Sequence, residues 1–248
     1  MSGLRVARRV DRIRPSGIRA ILDETERLRL NGIPTINFAI GRPDFDTPEH
    51  IKHAAKVALD RGQVHYTLNA GIPELRSAIA VKLARQNDLA VDPEHGVMVT
   101  AGACEGFCVA ALGYLDPGDE ILIPTPAWTT YAAAAELCGA VAVEVPLRPE
   151  DRFLPDPQRL RRAITARTRI LVLNSPNNPT GAVYPEGLLR EIARIAEEAD
   201  RLVVADEIYE QIVYGPTPHV SFATLPGMAR RTLTLCGGTR THLTRRCR

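Results

Sequence analysis

Several things are scarce in this chain of 248 residues, and each scarcity removes a class of function. Five cysteines, an odd number with no C-x-x-C pair, exclude a disulfide framework and a zinc site. The default compartment is then a reducing cytoplasm. No apolar run approaches the roughly 18 to 20 residues of a membrane span. The opening "MSGLRVARRVDRIR" lacks the apolar core of a secretory signal. Its arginine spacing is like that of a transit peptide, but Asp11 and the short length favour a solvated first turn. Acidic residues are missing from the last stretch, "TLTLCGGTRTHLTRRCR", where four arginines stand unbalanced. The formal net charge is only +2, so the residues before Arg240 carry a slight acidic excess. The body is no polyanion binder, and a nucleic-acid reading would rest on the tail alone, with no aromatic residues interleaved.

Apolar residues make up 45% of the sequence, enough for a sizeable α/β core. Helical periodicity is evident from Pro15 to Leu30, and Asn31-Gly32 supplies a stop. Thr47-Pro48-Glu49 reads as a cap followed by proline at the first helical position, and Pro73-Glu74 opens another helix to about Gln86. Short apolar runs then alternate with helical segments. The runs fall at 97–100, 120–124, 140–145, 169–174, 202–206 and 232–236. Most are continuously apolar, so they expect cover on both faces. The implied fold is α/β, a mostly parallel sheet with helices on both faces. Residues 1–47 stand apart as a helix and a long irregular loop.

In open parallel sheets ligands bind beyond the carboxyl ends of the strands. After "VMVT" comes "AGACEG", which offers free N–H groups and a helix dipole to an anion, or else is a plain tight turn. After "EILIP" comes "TPAW" with the sole tryptophan, Trp128, either a ligand platform or an edge-of-core aromatic. "SPNNPTG" follows the run at 169–174 with Asn177 and Asn178, and taken alone is simply a turn-rich loop. "DEIYE" ends the run at 202–206, with Asp206 either a functional carboxylate or a helix cap. Together, a phosphate seat, an aromatic platform, an amide donor and a carboxylate suit a flat phosphorylated heteroaromatic cofactor whose ring nitrogen stays protonated. Pyridoxal 5'-phosphate fits that description.

The segments "GRPDFDTPEHI", "HYTLNAGIPELRSAIA", "YLDPGDEILIPTPAW", "NSPNNPTGAVY" and "VVADEIYE" resemble the class I and II aminotransferases of the aspartate aminotransferase fold type. The resemblance implies a pyridoxal-phosphate enzyme moving an amino group between an amino acid and a 2-oxo acid. It assigns Asp206 to the pyridine nitrogen, Asn178 and Tyr209 to the ring oxygen, Trp128 to the ring face, and Gly102, Ala103 and Cys104 to the phosphate. Tyr66 would reach the phosphate of a neighbouring subunit, implying a homodimer, and Gly41 would lie against the substrate carboxylate. Cys104 stands where one aspartate-preferring branch has a lysine, which leaves an acidic substrate in doubt. His50 and His65 are read as surface histidines. By the same resemblance residues 1–47 belong to a small domain and 48–248 to an incomplete large domain, with the C-terminal small domain absent.

Aligned with the family's "TL-N-x-F-S-K-T", the text "TLTLCGGTRT" sets Arg240 on the lysine that joins the cofactor and moves the substrate proton. Guanidinium stays protonated and offers no nucleophilic amine. The only lysines are Lys52, Lys56 and Lys82, none near this strand end. The reading is therefore of an aminotransferase sequence inactive as it stands, through a shifted frame or truncation. The alternative is a remnant that binds the phosphorylated cofactor or a partner without chemistry.

Overall fold

The structure is a computed structural model that describes residues 5–13, 17–36, 41 and 46–237. Two helices come first, α1 (Gly17–Leu30) and α2 (Glu49–Asp60), then α3 (Pro73–Gln86) and α4 (Ala103–Tyr114). From there strands and helices alternate: β1 (Glu120–Thr125), α5 (Thr130–Leu137), β2 (Val141–Pro146), α6 (Pro157–Ala163), β3 (Thr168–Asn174), α7 (Glu186–Glu198), β4 (Leu202–Asp206) and β5 (Thr232–Leu235). The strands form one parallel sheet in the order β2-β1-β3-β4-β5. The chain leaves β1 toward β2 and returns to the other side of β1 as β3. This order reversal is the place where doubly wound sheets open a ligand crevice at their carboxyl ends.

Side chains of a strand alternate between faces, and each face here has its own helices. Leu122, Leu171, Leu173, Val203 and Ala205 pack on one side against Leu160 of α6 and Leu189, Ile192 and Ala196 of α7. Ile121, Ile123, Ile170, Val172 and Val204 pack on the other against Phe107 and Ala111 of α4 and Tyr131 and Ala135 of α5. Continuous apolar runs are what such two-sided cover demands. β2 is the exception. As an edge strand it is half open, and Val141 is exposed.

Two expectations fail. The run "VMVT" forms no strand: Val99 N donates to the Ala70 carbonyl at 3.0 Å, and no described strand lies beside it. Apolar β-branched residues favour an extended backbone, but a strand exists only with a partner ladder. Proline does not occupy the first position of α2 either. Pro48 has an extended ψ of 140° and stands outside a helix that begins at Glu49. At α3 the expectation holds, with Pro73 inside the first turn.

Close backbone approach fixes the loop before α3. Gly71 has φ +100°, and a Cβ there would sit 2.6 Å from Val99 Cγ2. We expect Gly71→Ala to lose about 1–3 kcal/mol of stability, from strained φ and steric overlap together. Urea unfolding checks this, and an unchanged midpoint would contradict the close approach.

Candidate active site at the carboxyl ends of the strands

β4 runs through the middle of the sheet and delivers Asp206 to its carboxyl end, where the carboxylate is only 6% exposed. A buried carboxylate needs donors. Tyr131 Oη donates to Oδ2 at 2.5 Å, and the Ile208 amide donates to Oδ1 at 3.1 Å. Burial pushes the Asp206 carboxyl above its ordinary range; the Tyr131 and Ile208 hydrogen bonds pull the other way, and the Glu207 charge adds to the rise. Burial, followed by the charge of Asp206, likewise holds the Tyr131 hydroxyl well above the usual phenol range. Tyr131 is therefore a neutral donor.

The loop after β3 is hung on the same strand end. β3 pairs Asn174 with Asp206 in register. Asn174 Nδ2 donates to the Asp206 carbonyl at 2.9 Å, while Asn174 Oδ1 accepts from the Asn178 amide at 2.7 Å. Asn178 Nδ2 in turn reaches Tyr209 Oη at 3.4 Å, so an amide and a phenol from two loops share one spot. A cleft of about 400 Å³ opens beside them, lined by Pro176, Asn178, Tyr209, Ile212 and Tyr214 among others. Asp206 and Trp128 do not line it.

After β1 the chain turns into α5, and half-buried Trp128 packs against the cluster that holds Phe107 and Tyr131. The Phe107 and Tyr131 rings lie 4.8 Å apart between centroids. Trp128 thus stands one helical turn before the tyrosine that grips Asp206. At the head of α4, Gly102 adopts φ +93°, a conformation suited to glycine. Its carbonyl accepts from the Glu105 and Gly106 amides at 3.1 and 3.2 Å. The Ala101 amide is already taken by the Glu105 carboxylate. The first turn of α4 lies against the end of β5, where a Cβ on Gly106 would sit 3.2 Å from Leu235 Cδ2, and Leu235 pairs with Asp206 in register.

Of the residues singled out in the sequence, Trp128, Asn178, Asp206, Tyr209 and the Gly102-Ala103-Cys104 turn share this rim. Two do not join it. Tyr66 is fully exposed on its loop, and Gly41 is an exposed residue far back in sequence. His50 and His65 are on the surface, as expected. Arg240 lies outside the described residues. The sequence reading missed Tyr131, although its signal is visible: a phenol three residues after Trp128, at the start of a helix opposite an acid that needs a donor. It also missed Asn174, which couples β3 to β4.

The family model for aminotransferase class I and II matches residues 33–239. The aspartate/prephenate aminotransferase of Thermus thermophilus is 48% identical over 214 residues, which are 86% of this chain and 55% of that protein. The aspartate aminotransferase of Pyrococcus abyssi is 44% identical over 233 residues, 94% of this chain and 59% of that one. A solved structure of the Thermus thermophilus aspartate aminotransferase with maleate superposes with a TM-score of 0.92 at 45% identity, covering 98% of this chain and 62% of its own. The N-succinyldiaminopimelate aminotransferase of Mycobacterium tuberculosis superposes at 0.90 with 36% identity, covering 96% and 61%. The chain thus spans somewhat more than half the length of the relatives it matches. No helix among the described residues is long and apolar enough to cross a membrane. With most of its length inside the family match and the sheet, crevice and buried acid in the corresponding fold, the chain belongs to the class I and II aminotransferases, a family whose cofactor is pyridoxal 5'-phosphate.

Proposed function

We propose that this chain is the cofactor-holding part of a pyridoxal-phosphate aminotransferase acting on an amino acid and a 2-oxo acid, and that as it stands it holds the cofactor without completing the transfer. One observation carries the reading. Asp206 is a nearly buried carboxylate that receives two neutral donors and, among the described residues, no cationic side chain. A protonated ring nitrogen is the partner such an acid lacks. The donor set suits the rest of the ring: Asn178 and Tyr209 for its oxygen, Trp128 for its face, and the amides of Ala103 and Cys104 for the phosphate, the Gly102 amide being engaged by the Thr100 carbonyl at 2.7 Å.

When bound, pyridoxal phosphate supplies an electron sink at the substrate α-carbon. Asp206 keeps the ring nitrogen protonated, and Tyr131 keeps Asp206 aimed. Trp128 excludes water from one ring face. The exposed Tyr66 would complete the phosphate seat of a second copy, and Gly41 would meet the substrate carboxylate. Residues 1–47 are assigned to the small domain and the residues from 48 onward to the large one. The aspartate names of two relatives favour a dicarboxylic amino donor, so Cys104 by itself does not exclude one. No lysine occupies the register of Arg240, and guanidinium cannot serve as the amine.

Trp128 is the sole tryptophan, so its fluorescence reports ring binding directly. Pyridoxal 5'-phosphate should quench it saturably, and Asp206→Asn should weaken that binding at least about tenfold. No quenching by the wild type would end this reading. Borohydride treatment of the complex should leave no pyridoxyl adduct on Lys52, Lys56 or Lys82, with 2-oxo acid turnover about 10²–10⁴-fold below a lysine-bearing relative. A reduced lysine adduct or ordinary turnover would overturn the claim of lost chemistry.

The Asp206 shift also has a stability consequence. Its folded pKa is raised by burial, so the native state loses stability as pH rises from the ordinary aspartate range through that raised value. Asp206→Asn removes the loss. Above that window the variant should be more stable than the parent, and below it the advantage should vanish. Thermal melts across pH 3–8 check the sign, and a variant destabilised at neutral pH would contradict it.

A further inference from the structure

The turn that follows β4 bears two more acids, Glu207 and Glu210, that the proposed chemistry does not use. Both are almost fully buried, at 3% and 7% exposure. Burying two carboxylates beside a third is expensive, and each must be fully engaged to persist. Glu207 is held from the segment after the turn. Ser221 Oγ donates to Oε2 at 2.7 Å, the Phe222 amide donates to Oε1 at 2.8 Å, and His219 Nε2 lies 3.3 Å from Oε2. Glu210 is held from an earlier segment of the chain, by Lys82 on α3, which pairs with Oε1, and by Asn87 Nδ2, which donates to Oε2 at 2.6 Å. Glu207, Glu210 and His219 are close enough together to suggest a cation site. The oxygens argue otherwise, because all four are committed to protein donors.

The two networks pull on a five-residue turn. Its first residue is Asp206 and its fourth is Tyr209, while the second and fifth, Glu207 and Glu210, bring their carboxylates within 4.8 Å of each other and are held by donors from two different segments of the chain. The Glu207 amide also donates to the Leu235 carbonyl at 2.8 Å, tying the turn to β5. We propose that Glu207 and Glu210 are positioning residues: two buried struts that fix Asp206 against Tyr131 and Tyr209 against Asn178, with the Lys82-Glu210-Asn87 link making α3 a structural part of the cofactor site. The inference rests on the proposed cofactor reading for its purpose and on the turn geometry for its existence.

The experiment separates these two. Glu210→Gln and Lys82→Gln are made in the full chain, the second because it removes the cation while leaving the Asn87 bond to Glu210. The control is Glu120→Gln. Glu120 is an equally buried acid at 3% exposure, paired with Arg167 at the amino end of β1, far from the rim. Amide hydrogen exchange of residues 206–212 is compared with that of α7, and pyridoxal 5'-phosphate affinity is read from Trp128 quenching below each variant's melting point. In both rim variants, exchange in the turn should rise about tenfold more than in α7, and affinity should fall about tenfold. The control should change affinity less than about twofold. Turn exchange that rises no more than that of α7 overturns the strut, whether or not the cofactor binds. So does a control that weakens binding as much as Glu210→Gln, since that marks a general loss of stability. Failure of the wild type to bind refutes the cofactor reading, while the exchange comparison still decides whether the struts exist.

Discussion

The contact between Tyr131 and Asp206 is the one on which the rim depends. It joins the helix after β1 to the end of β4 across the intervening strand β3, so two segments far apart in sequence are registered to one another by a single buried hydrogen bond. Without a donor at that place, burial would drive Asp206 to its neutral form, and a neutral acid cannot hold a protonated ring. The phenol is suited to the task because its own ionisation is pushed far out of range by the same burial. It donates a hydrogen bond without adding charge.

That arrangement has a cost in stability, which the surrounding core offsets. Asp206, Glu207 and Glu210 place three buried carboxylates within five residues. Beneath them lies a sheet packed on both faces, where Ile121, Leu122, Ile170, Val203 and Val204 are essentially inaccessible. A site assembled on loops alone could not keep acids dehydrated. One carried at the end of a central strand can, because the strand cannot shift without breaking ladders on both sides.

Most of this fold was legible in the sequence because its signals are local. Continuous apolar runs mark strands covered on both faces, and four such runs plus the half-open β2 became the sheet. The segment at 97–100 has the same apolar text and no strand, since pairing is a property of two segments and cannot be read from one. Pro48 misled by one position for a related reason: proline fits both the first turn and the extended residue before it, and ψ alone separates them. In the site, residues at strand ends were readable because topology gathers strand ends. Tyr131, Asn174, Glu207 and Glu210 were not, because each acts through a partner distant in sequence, 32 residues away for Asn174 and 128 between Lys82 and Glu210. Buried polar residues in or beside a chemically interesting strand end were nevertheless available as a cue, since each implies an unseen donor.

The two halves of the chemistry are physically separable in this fold. In the proposed reading, gripping the ring would fall to residues fixed by the sheet: an acid on β4, an amide after β3, an indole after β1 and the amides at the head of α4. Supplying an amine would fall to one side chain beyond β5, at the position of Arg240. The first set is interlocked, so that loss of one member disturbs the others through Tyr131 and Asn174. A substitution at the amine position therefore leaves the grip with its own internal reasons to persist, because Asp206, Tyr131 and Asn174 hold the strand ends together whatever residue follows β5.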